Sequence, residues 1–318
     1  MSKLANTDQN QYWKSEDLLL VGSGSVSFAL AESLVLSAEY EGEVGVWARN
    51  PVSLQRFEKL GVKTFTELSA GLSKAAAAIV CVSDGALEQV AAALANALDS
   101  VGEQGEAQQR PGQALVVLHT SGFRGTDALT ALAPSGAALG VMHPMAAVAG
   151  RAGDGTPFTN VTFGVSGSTE ARQCAGAMAA LLGGQVVLVK DELRGLYHGA
   201  AALLSGGLVA LFAEAEACLA ESLAGEASDP GGEPRSGDHA QASARFILRG
   251  LLASTTSNLM ELPPEQALTG PVARGDSDVV AGHAQAFAGR SNSRTGALHE
   301  LLTKIMLELV HKRDRQEP

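Results

Sequence analysis

Leu18-Leu19-Leu20-Val21-Gly22-Ser23-Gly24-Ser25-Val26-Ser27 is the stretch whose reading decides the fold. Four apolar residues ending in glycine read as a short buried strand. Val26 to Ala38 reads as the helix that follows. The loop between them approximates G-x-G-x-x-G. Gly22 permits a tight turn, and Gly24 lets the backbone approach a pyrophosphate. The helix N-terminus adds unpaired N–H groups and a partial positive charge. Ser27 stands at the third position, where glycine or alanine is usual, and puts an oxygen at the helix–strand contact. An ordinary strand-to-helix turn can look the same. The position after the first strand, opening a helix in a unit of the right length, favours dinucleotide binding through Gly22, Ser23, Gly24, Ser25 and Val26.

Outward from this loop the same alternation continues. Val44 to Trp47 reads as a second strand, and Pro51 opens the next helix. Strands follow at Val62 to Thr64, Ala77 to Val82, Ala114 to Leu118 and Ala138 to Met142, with a helix from about Gly85 to Leu98. Continuously apolar strands separated by helices predict a parallel sheet covered on both faces. Val161 to Val165 and Gln185 to Val189 flank a helix over Thr169 to Leu182 and could extend that sheet. Residues 1–16 read as a flexible tail, 17–190 as a Rossmann-type dinucleotide-binding domain and 191–318 as a helical substrate and dimerisation domain. In the last part, helices are expected at Glu192 to Ser222, Ala240 to Leu262, Ser277 to Ala288 and Thr295 to Lys312. Gly102 to Gly112 reads as a polar connection and Gly225 to Asp238 as a mobile loop. The fold class is therefore α/β plus all-α, a mostly parallel sheet with a C-terminal helical domain.

The end of the second strand bears on the cofactor. An NAD site wants a carboxylate there for the ribose 2′-hydroxyl. The chain has Trp47-Ala48-Arg49-Asn50 instead, and Arg49, if not simply a solvated loop residue, can meet a 2′-phosphate with charge-assisted bonds. This points to NADP rather than NAD. Ligands of open α/β sheets sit beyond the carboxyl ends of the strands. Val82-Ser83-Asp84, His119-Thr120-Ser121-Gly122 and His143-Pro144 fall there. Val82, Ser83, Asp84, His119, Ser121 and Gly122 are candidate cofactor contacts, and His143 is a candidate catalytic group because imidazole titrates near neutrality. The alternative for each histidine is a loop cap that bonds a backbone carbonyl.

The helical half contributes Tyr197-His198 and, seven residues later on the same face, Ser205. A polar stripe on a helix of small residues serves either the site or domain packing. Leu268 to Asp276 ends in Arg274-Gly275-Asp276. Arg274 is placed to hold a carboxylate, Asp276 or Ser277 to cap the next helix, and His283 shares the face of Asp276. An adhesion role for the Arg-Gly-Asp tripeptide is a poor reading without a secretory signal.

Bulk properties narrow the partners. The 318 residues carry a formal net charge of −11 and no Lys/Arg cluster, against nucleic acid. Cys81, Cys174 and Cys218 lack metal-ligand spacing and read as reduced thiols of a cytoplasmic protein, with no metal site. Met1 to Asp17 has no apolar segment typical of a signal peptide. Gly199 to Ala213, the most apolar stretch, reads as a buried helix rather than a membrane span.

Taken together, these blocks resemble a bacterial two-domain family with a Rossmann-like N-terminal domain and a C-terminal domain of unknown function. That family is similar to ketopantoate reductase and pyrroline-5-carboxylate reductase. The resemblance covers most of residues 16–310. It rests on the loop at Gly22, Val82-Ser83-Asp84, His119 to Gly122, His143-Pro144, Tyr197-His198, and Leu268 to Asp276 with His283. It implies a 6-phosphogluconate-dehydrogenase-like architecture, NADP binding, a homodimer built through the helical domain, and a cleft between domains. Two departures stand out: Ser27, and Gly206 where the family usually shows Asn after Ser205.

The expected activity is reduction of a carbonyl or imine of a small carboxylate substrate by NADPH. Arg274 with Asp276 would orient the carboxylate. His198 would donate the proton, with Ser205 as relay, and His143 and His119 would line the nicotinamide end. The alternatives are a non-catalytic NADP(H) sensor and a structural oligomerisation module.

Overall fold

The computed structural model describes residues 13–103, 114–149, 153, 157–224, 237–290 and 293–316. They fall into two compact units, Met1–Ser205 and Gly206–Pro318. Most of the expected connection at 102–112 and of the expected loop at 225–238 lies outside the described residues, as do residues 1–12 of the expected tail.

The first unit is built on one eight-stranded sheet. Its strands are β1 (Leu18–Val21), β2 (Val44–Trp47), β3 (Lys63–Phe65), β4 (Ala77–Val80), β5 (Val116–His119), β6 (Ala138–Pro144), β7 (Thr162–Gly167) and β8 (Gln185–Leu188), in spatial order β3-β2-β1-β4-β5-β6-β7-β8. The first six run parallel, in the order of a Rossmann fold. β7 pairs antiparallel to β6, and β8 parallel to β7, so the last two strands reverse an otherwise parallel sheet. The apolar runs show why the sheet is central: Leu18 and Leu20 enter one hydrophobic cluster, Leu19 and Val21 the other, as period-two alternation requires. On one face lie α1 (Ser25–Leu36), short α2 (Gln55–Glu58) and α5 (Thr169–Leu181), with Phe28, Phe57, Phe158 and Phe163 in the core. On the other lie α3 (Leu68–Leu72) and α4 (Leu87–Glu103). The link from β5 to β6 is a 3-10 segment, Thr126–Ser135, which contains Pro134 and ends at left-handed Gly136.

Two features depart from the sequence reading. The expected tail is not loose over residues 13–16: Trp13 packs into the core, and the Lys14 carbonyl accepts from the N–H groups of Glu41 and Gly42. His119 and His143 are strand residues rather than loop residues that follow the strands.

The long helix α6 (Arg194–Leu223) begins in the first unit and continues into the second. The second unit adds α7 (Gly237–Glu261), α8 (Pro264–Ala267), α9 (Pro271–Arg274), α10 (Ser277–Ala288) and α11 (Ser293–Asp314). It is held by ion pairs between helices, among them Arg245–Glu216, Arg290–Glu221 and Lys312–Glu265. The expectation of a buried helix over 199–213 is not met within the single chain: only 6% of the most apolar window of α6 is buried. By length and composition residues 191–223 would suffice to cross a membrane.

Candidate active site

β1 and β4 are neighbours from which the chain departs to opposite edges of the sheet, so a crevice opens beyond their carboxyl ends. The Gly22 loop lies there. Gly22 donates to the Trp47 carbonyl at 2.8 Å and adopts φ +117°, in the left-handed region. A Cβ at this position would stand 2.5 Å from the Cys81 carbonyl and 3.0 Å from Val82 Cγ1, so only glycine fits. Gly24 occupies the N-cap of α1 in extended conformation, without a side-chain cap. The first helical bond runs from Phe28 N–H to the Gly24 carbonyl, so the amides of Ser25, Val26 and Ser27 have no acceptor within the helix. Gly24 and Ser25 are exposed and Ser23 and Val26 half-buried. A twelve-residue helix with open amides behind an obligatory glycine fits a dinucleotide pyrophosphate. Ser27 is buried and its hydroxyl has no partner, an unfavourable feature of about 1–3 kcal/mol where alanine or glycine would leave none.

Around the loop, Arg49 is exposed at the end of β2 and forms no ion pair among the described residues. Asn50 is used locally: its side chain accepts from the Val52 N–H at 3.1 Å and caps the turn Pro51–Leu54. Ser83 precedes the 3-10 turn Asp84–Ala86 that leads into α4. One residue absent from the sequence reading is Arg56. Its Nη2 donates to the carbonyls of Ser23 (2.5 Å) and Gly24 (2.8 Å), and its guanidinium lies over the rings of Phe28 and Phe57. Burial lowers its pKa. No motif marks it, because its partners are 32 and 33 residues away.

A second cluster forms at the ends of β5 and β6. His119 is fully buried; its Nε2 donates to the Gly125 carbonyl at 2.9 Å, while Nδ1 accepts from the Ser121 N–H at 3.2 Å. Burial lowers its pKa, consistent with this neutral tautomer. His119 therefore shapes the loop from behind, and the expectation that it touches the nicotinamide is corrected: both ring nitrogens are occupied and no surface is offered. Ser121 is likewise internal, its hydroxyl accepting from the N–H groups of Phe123 and Arg124. Gly122 lies against two imidazoles. A Cβ on it would stand 2.5 Å from His198 Cδ2 and 2.7 Å from His143 Nε2.

His143, Tyr197 and His198 meet edge to face. Ring centroids of His143 lie 5.5 Å from Tyr197 and 5.7 Å from His198, and His143 Nδ1 is 3.1 Å from the Tyr197 hydroxyl. The phenol lies over Gly164 of β7, where any Cβ would fall on its oxygen. Burial, with the charges of His198 and Arg194, brings the pKa of His143 down to about 4. Burial raises that of Tyr197.

This cluster is anchored by a polar network that spacing did not reveal. Asp191 accepts from Ser166 Oγ, from Thr126 N–H and Oγ, and from Arg194 Nε at 3.0 Å. Arg194 is fully buried and also donates to Ser166 Oγ at 2.8 Å; its Nη1 has no partner. Burial raises the Asp191 pKa, but the bonds from Ser166, Thr126 and Arg194 outweigh it and bring the carboxyl down to about 2. The network ties the His119 loop, β7 and the first turn of α6, and so fixes where Tyr197 and His198 stand.

Three expected residues take other roles. Ser205 donates to the Ala201 carbonyl one turn back, at 2.9 Å, so its hydroxyl is engaged within its own helix rather than relaying to His198. Gly206 leaves open space where a side chain would stand. In the second unit Arg274 pairs with Asp276 at 2.8 Å, so Asp276 holds the guanidinium instead of capping α10. His283 meets His299 edge to face, with ring centroids 6.1 Å apart. The three cysteines are free thiols; burial pushes Cys81 up to about 12 and raises Cys174. Among the described residues no group of three or more His, Cys, Asp or Glu could hold a metal ion.

Residues 161–305 match the profile described as a domain of unknown function, DUF2520. The match includes Ser166, Asp191, Arg194, Tyr197 and His198. No curated protein matches the chain. Among solved structures, a Bacteroides fragilis protein described provisionally as an NADP oxidoreductase aligns with TM-score 0.65 and 22% identity, over 93% of this chain and 99% of that one. A Coxiella burnetii pyrroline-5-carboxylate reductase aligns with TM-score 0.58 and 13% identity, over 95% and 98%. An Aspergillus terreus reductive aminase, solved with NADPH and ethyl-5-oxohexanoate, aligns with TM-score 0.52 and 19% identity, over 95% of each chain. The match begins inside the Rossmann-type sheet, at β7, and continues through the helices of the second unit.

Proposed function

We propose that the protein is an NADP(H)-dependent oxidoreductase that reduces a carbonyl or imine carbon of a small carboxylate substrate. The observation that carries this is the presence, at the carboxyl end of one parallel sheet, of both an open-amide phosphate loop and the His143–Tyr197–His198 cluster. The names of the structural neighbours agree with it. Gly22, Ser23, Gly24, Ser25 and Val26 would hold the diphosphate, Arg49 the 2′-phosphate, and Val82 and Gly122 would flank the dinucleotide.

When bound, NADPH supplies the hydride. The chain's own groups manage the proton. Tyr197 keeps its proton at neutral pH and donates it as a hydrogen bond to His143 Nδ1, which leaves the His143 proton on Nε2, beside Gly122 and His198. Held neutral, His143 orients His198 without repelling it. His198 gives its proton to the reduced oxygen or nitrogen, a contribution of about 10²–10⁴-fold in rate.

Stopped-flow mixing of the protein and NADPH with a panel of 2-oxo acids and cyclic imines tests this reading. Oxidation of NADPH by one of them is expected, and His198→Ala should lower kcat about 10²–10⁴-fold. Unchanged turnover in His198→Ala would remove the acid assignment. Tight NADPH binding with no turnover of any candidate would favour a sensor, a reading supported by the internal bond of Ser205 and the open space at Gly206.

The same proposal makes the protein a cytoplasmic homodimer through its helices. Leu203, Leu204 and Val209 of α6 and Phe246 and Met260 of α7 are exposed in the single chain. Apolar helix residues left uncovered by their own chain are candidates for cover by a second copy. Light scattering should give twice the chain mass, and sedimentation with phospholipid vesicles would instead point to a membrane.

A further inference from the structure

We infer that Arg56 is a positioning residue of the phosphate loop, setting the direction of the loop amides and so the affinity for either dinucleotide. The inference rests on the proposed cofactor role of that loop. All described peptide bonds are trans, and in a trans peptide the C=O of one residue and the N–H of the next point in opposite directions. Arg56 Nη2 draws the Ser23 and Gly24 carbonyls toward itself. The N–H groups of Gly24 and Ser25 are thereby aimed the other way, on the exposed side of the loop. Without the guanidinium both carbonyls would lose a charged donor; the Gly24 oxygen would keep the Phe28 N–H, but the Ser23 oxygen could turn toward an incoming phosphate.

The guanidinium is itself fixed. It lies 4.6 Å from the ring centroid of Phe28, one turn into α1, and 5.1 Å from that of Phe57. The Phe28 and Phe57 rings meet each other edge to face at 5.4 Å. Both rings are buried. A planar cation stacked in this way keeps its donors in one orientation, which an ammonium on a flexible stem cannot reproduce. Arg56 and Arg49 therefore divide the work. Arg49, exposed and without an ion pair among the described residues, is placed to discriminate the 2′-phosphate. Arg56 is engaged with backbone and acts on every ligand the loop takes.

The test is calorimetric titration of the full-length chain with NADPH and with NADH, at a temperature well below the melting point of each variant. Arg56→Gln should weaken both dinucleotides by a similar factor, about tenfold or more for losing charge-assisted bonds. Arg49→Gln should weaken NADPH and leave NADH unchanged. In the free protein, Arg56→Gln should also shift the backbone amide resonances of Gly24 and Ser25, which a general loss of stability would not single out. If Arg56→Gln does not fold, Arg56→Lys serves, with a smaller but again equal loss for the two ligands. Unchanged affinities in the Arg56 variant overturn the inference alone. So does a loss confined to NADPH, which would make Arg56 a direct ligand of the 2′-phosphate. Failure of the native protein to bind either dinucleotide overturns the reading of the loop, and this inference with it.

Discussion

The two units of the chain use similar apolar residues in opposite ways. The first buries them in two layers against its sheet, with Phe57, Phe158, Phe163 and a row of leucines fully enclosed. Among the described residues of the second, the buried apolar side chains are Ala240, Ala244, Ala267 and Val272. Its large ones face outward, Phe246 at 80% and Met260 at 87% exposure. A fully buried side chain of that size contributes about 1.5–3 kcal/mol. The first unit therefore has the core of a self-sufficient domain, whereas the second relies on ion pairs between helices and, on the proposal above, on the surface of another copy. Exposed ion pairs such as Lys304–Glu300 contribute little, about 0–1 kcal/mol.

The largest expected effect lies where the first unit encloses charge rather than hydrocarbon. Asp191→Ala removes the carboxylate that pairs with fully buried Arg194 and receives Thr126 and Ser166. An uncompensated buried charge typically costs about 3–5 kcal/mol. Urea unfolding of the variant should show a loss of that order. A loss below about 1 kcal/mol would mean that the unit does not depend on this network.

A smaller effect comes from acid. Outside the protein His143 would titrate near 6.5, while in the fold its pKa is about 4. The folded protein thus refuses a proton that the unfolded chain accepts. Above pH 6.5 neither form is protonated and the group makes no difference. As pH falls from 6.5 to 4 proton uptake stabilises the unfolded state, so folding stability declines, by roughly 2 kcal/mol for a half-buried ring once solvent screening is allowed for. Replacement by Gln, which cannot titrate, should flatten the stability profile over that window. An unchanged slope in His143→Gln would show that other groups set it. Asp191 acts lower, between 3.8 and about 2, where its protonation loosens the network.

The sequence made the first unit legible because its evidence is local. Short apolar runs ending at Gly22 or before a polar turn mark strands directly, and α5 falls within one residue of its expected bounds. Strand direction is not local. β7 and β8 read as apolar runs whichever way they lie, and only pairing with β6 reveals the reversal. The site divides in the same way. Gly22, His143, Tyr197 and His198 sit in recognisable blocks. Asp191 is 65 residues from Thr126 and 25 from Ser166, and Arg56 is 33 from Ser23, so no spacing could announce them. Ser205 was the opposite case: a serine inside a helix bonds readily to the carbonyl four residues back, and that local competitor took the hydroxyl. The exposure of α6 escaped for a further reason. A helix apolar on all sides must be covered, but sequence does not say whether its own chain or another supplies the cover.

Phe246→Ser is the smallest change and bears most directly on that question. In an isolated chain this ring sits in water, and its removal should alter stability by no more than about 0.5 kcal/mol. If two copies bury it, the outcome depends on concentration. Dimer formation stabilises by mass action, so the native Tm should rise with protein concentration. In Phe246→Ser the rise should shrink, with the variant and native proteins melting together at the lowest concentration. A native Tm independent of concentration, in protein that light scattering shows to be monomeric, would mean that the exposed helices have no partner of their own kind. The second unit would then be stable on ion pairs and a few small buried side chains alone, and the contrast between the two units would describe the protein as it works.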